Sequence, residues 1–265
     1  MLDYHVHTRY CRHAVGKIGD YVRAAALKGL KEIGFSDHYP IFYFPLPYGD
    51  YSMDLSELPA YVEEVEEAKR RFRGRVEVKV GVEVDYCRGC EPLLREALSS
   101  QEFDYVVGAV HFVDGWAVDD ERNIERYQEY DLDALYSKYF GELEALIKSG
   151  LFDVVAHLDV IKKFGFTPEG GVERYLLPCL DLIAEKGACA EINTSGLNEP
   201  ARETYPGLKF LKAMRDRGIQ VTLGSDAHKP RDVARHFDTV LRELKKAGYK
   251  KLVSFDKGEK ILKRA

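Results

Sequence analysis

Two hydrophobic rhythms alternate along the chain. Short runs rich in β-branched and apolar residues fall at 2–7, 32–37, 76–85, 105–112, 154–159, 189–193 and 220–225. Between them, apolar residues recur at helical spacing, as over 55–72, 131–148, 172–185 and 233–247. Strand runs alternating with amphipathic helices predict repeated βα units around a parallel sheet. Glycines stand where several helical patterns stop, at Gly29, Gly74, Gly150, Gly187 and Gly218, because a residue tolerant of positive φ can end a helix and lead into the next strand. No low-complexity tract, Ser/Gly linker or shift in composition marks a boundary. The expectation is one α/β domain over 1–265, a TIM-barrel-like closed barrel of about seven βα units in preference to an open doubly wound sheet.

Composition narrows this picture. The 265 residues are 45% hydrophobic and 12% aromatic, enough for a large core without disulfide staples. The net charge of −5 argues against a surface built to hold nucleic acid, which needs a concentrated Lys/Arg face. No stretch approaches the roughly 18 uninterrupted apolar residues of a membrane span, and Met1-Leu2-Asp3-Tyr4-His5 lacks the basic and apolar regions of a signal peptide. A cytoplasmic protein is expected. The five cysteines are odd in number, and most are expected to be reduced. Cys87 and Cys90 form a single C-x-x-C with no second pair, which favours a loop or helix start over a zinc or redox motif.

The histidines carry the chemistry. Of the eight, seven lie at or just beyond the C-terminal end of a strand run, and only His236 sits in a helical pattern. In a barrel of parallel strands those ends converge on one mouth, where such folds place their active sites. His5 and His7 are two apart, so both imidazoles point to one side. His13 follows in the first loop, His38 ends the second run, Glu83 the third, His111 the fourth and His157 the fifth. Asp226 and His228 follow the seventh with the same two-residue spacing. A lone histidine is more often a satisfied, partly buried imidazole. Seven at one end of a core would carry a desolvation cost unless they held something. Metal coordination is the economical explanation, and mixed imidazole and carboxylate donors suit zinc, manganese or iron better than calcium. Nine donors exceed the needs of one ion, and the class they point to is a metal-dependent hydrolase.

Longer strings sharpen this: Gly108-Ala109-Val110-His111-Phe112-Val113-Asp114-Gly115-Trp116, His157-Leu158-Asp159-Val160-Ile161-Lys162-Lys163-Phe164, Glu191-Ile192-Asn193-Thr194-Ser195-Gly196-Leu197, Tyr205-Pro206 and Gly224-Ser225-Asp226-Ala227-His228. With the H-x-H at the N-terminus, they resemble the PHP (polymerase and histidinol phosphatase) superfamily over essentially the whole chain, and its histidinol-phosphate phosphatase branch in particular. The resemblance implies a distorted (β/α)7 barrel and three divalent metal ions. His5, His7, Glu83 and Asp226 would hold the first, Glu83 with His111 and His157 the second, and His13, His38 and His228 the third. It implies hydrolysis of a small phosphate ester, L-histidinol phosphate to L-histidinol and phosphate in histidine biosynthesis, by a hydroxide between the first two ions. Asp226 and His228 are the catalytic candidates, with Asp226 or a metal-bound water protonating the leaving group. Arginine commonly supports the phosphate in this branch. Here Lys162 and Lys163 follow the fifth run, Asn198 follows the Ser195-Gly196-Leu197 turn, and the next arginine is Arg202. Lys162, Lys163, Asn193 and Arg202 are therefore the candidate substrate contacts. The alternatives are another small phosphate, such as a nucleotide or sugar phosphate, and a PHP nuclease or polymerase accessory domain, which the acidic balance disfavours. The aromatic segment 39–49 suits either a lid over the mouth or a loop folded onto the scaffold.

Overall fold

A computed structural model describes residues 1–45, 49 and 51–264. Seven parallel strands hydrogen-bond in chain order: β1 (Leu2–Asp3), β2 (Glu32–His38), β3 (Glu77–Asp85), β4 (Tyr105–Ala109), β5 (Val154–Val155), β6 (Cys189–Asn193) and β7 (Gln220–Gly224). The seam between β7 and β1 is joined by Tyr4 N donating to Leu223 O at 2.8 Å and His7 N to Ala227 O at 3.0 Å, with a parallel bridge between Val6 and Ala227. The result is the expected distorted, nearly closed (β/α)7 barrel. Helices α1 (Ile18–Leu27), α2 (Leu58–Arg71), α3 (Glu91–Ser99), α4 (Leu132–Ser149), α5 (Glu173–Lys186), α6 (Leu211–Asp216) and α7 (Phe237–Ala247) connect the strands and their closing hairpin. No helix among the described residues is long and apolar enough to cross a membrane.

Local sequence explains the punctuation. α4 starts at Asp131, whose carboxylate accepts from the backbone N–H of Asp133 and Ala134, satisfying two donors that the first helical turn leaves free. It buries Leu135, Tyr139, Leu143 and Leu146, a stripe at helical spacing, and ends on Gly150 at φ 62°. The other expected stops, Gly29, Gly74, Gly187 and Gly218, also have positive φ. β2 is buried along its length and β3 over Val78–Asp85, since parallel strands here have the barrel interior on one face and helices on the other. Tyr105 fills the lower interior; a Cβ on Gly34 or Gly81 would collide with its ring.

Four elements depart from expectation. The fifth strand is shorter than its apolar run because a side chain replaces the ladder at the mouth, where His157 N donates to Glu191 Oε2 at 2.8 Å. The first is a strand only over Leu2–Asp3, while isolated backbone bonds carry its pairing with β7 on to His7, beyond which Thr8 N donates to Asp37 Oδ1 at 2.9 Å. The last helix begins at Phe237, not 233. Ala234 and His236 sit at φ 52° and 61°, so His236 caps the helix rather than belonging to it. Finally, a hairpin of β8 (Lys251–Asp256) and β9 (Glu259–Arg264) covers the end of the barrel remote from the mouth. Tyr4 Oη lies 2.9 Å from Glu32 Oε2 and 3.0 Å from Ser254 Oγ, Lys263 Nζ pairs with Glu32 at 2.5 Å, and Phe255 stacks on Tyr105.

Candidate metal centre

The C-terminal ends of the strands bring the donors to one place. His5 Nε2 and His7 Nε2 are 3.0 Å apart. Glu83, at the end of β3, reaches both, with Oε1 3.3 Å from His5 Nε2 and Oε2 3.6 Å from His7 Nε2. Asp226 Oδ1 lies 3.5 Å from His7 Nε2. On the other side of Glu83, His111 Nε2 and His157 Nε2 are 3.1 Å apart, and His157 Nε2 is 3.0 Å from Glu83 Oε1. Glu83 thus sits between two groups of donors. A third set surrounds His228, whose ring stacks on His7 at 4.3 Å and on His13 at 4.7 Å, with His38 5.6 Å from His13. Two further sets of donor atoms lie within 4.8 Å of one another: His38, Asp85 and His111, and His7, Cys11 and His228.

This arrangement fits cations. Imidazole nitrogens aimed at each other from 3 Å need a shared proton or a metal between them. Buried ring nitrogens of His38 (Nδ1) and His228 (Nε2) make no hydrogen bond among the described residues, and unsatisfied buried polar atoms call for an explanation such as an ion. The charges agree. Burial would lower His5, yet Glu191, Glu83 and Asp226 hold it well above the usual imidazole range. His111 is pushed up to about 10, against burial, by Asp85, Asp119 and Glu83. Glu83 and Asp226 stay well below the carboxylate range despite burial, because histidines crowd them. Burial and the neighbouring His13 and His38 take His228 down to about 4. The cluster combines ionised carboxylates with imidazoles, the donor set of a divalent transition-metal centre.

Two carboxylates whose roles spacing did not reveal, Glu191 in a quoted motif and Asp85 at the end of the third run, orient the donors. Glu191 on β6 lies 2.7 Å from His5 Nδ1 and accepts from His157 N. Asp85 lies 2.7 Å from His111 Nδ1. Each engages the outer ring nitrogen and leaves Nε2 facing inward, the usual support of a metal-ligating histidine. Gly224 permits this packing, since a Cβ there would strike both Glu191 and His5. Asn193 belongs to the same shell. Its amide donates to Glu191 at 3.2 Å and to Asp226 at 3.4 Å, and its carbonyl accepts from Ser195 N and Oγ.

A model of the PHP domain matches residues 3–195. The chain belongs to the PHP domain family. It is 36% identical to the probable histidinol-phosphatase of Deinococcus radiodurans over 94% of each chain. It is 27% identical to the histidinol-phosphatase of Bacillus subtilis, over 90% of this chain and 97% of that one. Among solved structures, the histidinol phosphate phosphatase of Lactococcus lactis, complexed with zinc, L-histidinol and phosphate, superposes with a TM-score of 0.80 at 24% identity over 98% of both chains.

The mouth of this PHP barrel opens into a cavity of about 610 Å3 lined by His7, His13, His38, Glu83, His111, His157, Asp226 and His228 at its floor. Its walls carry four cations, Arg122, Lys163, Lys229 and Arg235, among five carboxylates, Asp119, Asp120, Glu121, Glu199 and Asp232. Of the expected substrate contacts, Lys163 is there. Lys162 is not. It is buried between Asp159 Oδ2 at 2.9 Å and Glu203 Oε2 at 2.7 Å and borders a separate cavity of about 330 Å3. Arg202 is exposed and does not line the main cavity, and Asn193 faces the carboxylates behind the floor. The 3-10 turn at Val160–Lys162 rotates Lys162 inward, which helix or strand spacing does not anticipate. Arg122 and Lys229 lie outside the expected helices, and Arg235, inside the expected 233–247 helix, instead precedes its observed start at Phe237.

Within 39–49, Leu46, Pro47 and Tyr48 lie outside the described residues. Three of the described aromatics are anchored to the PHP scaffold, with Tyr39 buried, Tyr43 Oη donating to Asp85 O at 2.7 Å and Phe44 packing on Phe112, while Phe42 is exposed. Cys87 and Cys90 are free thiols in the turn before α3, with Cys90 as its N-cap, as the loop reading expects.

Proposed function

We propose that this chain is a histidinol-phosphate phosphatase, a single domain over 1–265 that hydrolyses L-histidinol phosphate to L-histidinol and phosphate in histidine biosynthesis. One observation carries this reading: donors from the ends of β1, β2, β4 and β5 converge on Glu83 at the end of β3, with Asp226 and His228 beside them, at the floor of a cavity whose wall carries both cations and carboxylates. Near full-length similarity to histidinol-phosphatases supports it, as does the likeness to a structure bearing zinc, L-histidinol and phosphate.

Three divalent ions, zinc, manganese or iron, would be held by His5, His7, Glu83 and Asp226, by Glu83, His111 and His157, and by His13, His38 and His228. When bound, such ions bring water to hydroxide near neutral pH and neutralise charge on phosphate oxygens. The protein's own contribution is positioning. Glu83 ties the first two donor groups together, and Glu191 and Asp85 keep His5 and His111 in the tautomer that points Nε2 inward. Asp226 and His228 serve as donors from the β7 end. Lys163 brings positive charge to the phosphate end of the cavity, and Asp226, or a water at the mouth, would protonate the leaving alkoxide.

The test is turnover by metal-reconstituted protein on histidinol phosphate, a nucleoside monophosphate, a sugar phosphate, a phosphodiester and single-stranded DNA. The highest kcat/KM is expected for histidinol phosphate. A better substrate among the other monoesters would overturn the substrate assignment, and activity confined to the diester and DNA would move the chain to the nuclease reading.

A further inference from the structure

Of the cations on the cavity wall, Arg235 is held differently from the rest. Arg122 is engaged by Asp120 at 2.6 Å, and Lys163 donates to the carbonyl of Asp119 at 2.8 Å. Arg235 has no carboxylate within 4 Å among the described residues. Instead its Nε donates to Ser225 O at 3.0 Å and its Nη2 to Asp226 O at 3.2 Å. A guanidinium has five N–H donors, so most of them remain uncommitted on a half-buried side chain that lines the cavity.

The backbone is bent to place it there. Ala234 and His236, on either side, are both left-handed at φ 52° and 61°, a conformation that costs a non-glycine residue free energy and that concentrates at functional sites. The segment is pinned at its root by Asp3, fully buried on β1, which accepts from Ala234 N at 2.8 Å, Ser225 N at 2.9 Å and Ser225 Oγ at 2.6 Å. A planar cation with unused donors, fixed in direction and carrying no counter-ion, is preorganised for an anion in the cavity.

We propose that Arg235 anchors the substrate phosphate, holding its oxygens with the uncommitted N–H donors while Nε and Nη2 grip the backbone that carries Asp226. This rests on the reading of the substrate as a phosphomonoester. One rigid group then sets the register between the phosphate and the donors at the end of β7. It also fills the role that Lys162, locked between Asp159 and Glu203, cannot.

The test uses metal-loaded full-length protein with Arg235→Gln and Arg235→Lys. Three quantities are read: metal per chain, the Kd of inorganic phosphate by calorimetry, and KM and kcat for histidinol phosphate and for p-nitrophenyl phosphate. Losing a charged hydrogen bond costs about tenfold or more in affinity. Arg235→Gln should therefore weaken phosphate binding by about that factor at unchanged metal content, with KM rising similarly for both esters and kcat moving less. Arg235→Lys should recover part of the loss. A phosphate Kd within about twofold of the parent, or a loss of phosphate binding that merely tracks a loss of metal, would overturn the proposal. If the parent ignores histidinol phosphate yet binds phosphate in an Arg235-dependent way, the substrate assignment fails and the anchor stands.

Discussion

Glu191 shows how much one residue outside the donor set can control. Its carboxylate touches His5 Nδ1 and the backbone of His157, reaching both donor groups that share Glu83. Glu191→Gln keeps the size but removes the charge that holds the His5 tautomer. Metal affinity should fall about tenfold to a hundredfold, read as metal retained against a graded chelator, and retention equal to the parent would show that Glu191 only packs. Lys162 makes the opposite case. Its ammonium neutralises Asp159, which is fully buried, so Lys162→Met strands a buried carboxylate. A loss of about 3 kcal/mol in denaturant-determined stability is expected, with the affinity for inorganic phosphate unaltered. Weakened phosphate binding at full stability would return Lys162 to the substrate site.

At the level of elements, helices and their glycine stops were legible because both depend on local spacing and local φ. Strand ends were not, because at the mouth the ladder gives way to carboxylates donated from other strands. The C-terminal hairpin escaped notice for another reason. Its turn is Lys257-Gly258, at φ 49° and 78°, rather than the Asn-Gly or Asp-Gly that announces such turns. The hairpin is nonetheless integral to the core, with Phe255 fully buried against Tyr4 and Tyr105. Phe255→Ala should cost about 3 kcal/mol of stability, measured by denaturant unfolding, while metal content of the folded fraction stays constant. A near-neutral substitution would mean that the hairpin merely lies against the barrel.

For the whole molecule, the metal centre doubles as part of the fold. Donors from β2, β3 and the segments after β1, β4, β5 and β7 meet only in the closed barrel, so ions bound there stabilise the native state by mass action, by about 4 kcal/mol when present at a thousand times Kd. Without them, imidazoles 3.0 and 3.1 Å apart and clustered carboxylates repel their own kind. Removing metal by chelation should therefore lower Tm as well as abolish turnover, and adding zinc or manganese should restore both. An unchanged Tm in the metal-free protein would separate the centre from the stability of the barrel.

The sequence by itself determined the repeating βα pattern, the glycine stops and the nine candidate donors, because strand and helix periods, positive-φ demand and ligand chemistry are all written within a few residues. Tertiary structure decided which carboxylates steer the histidines, how the barrel closes and which cations face the cavity. Those choices join residues 186 apart for Glu191 and His5, 222 apart for Asp3 and Ser225, and 250 apart for Tyr4 and Ser254. Local spacing carries no information about partners at such separations. They are set by barrel closure and by the turns that swing Lys162 inward and Arg235 toward the mouth.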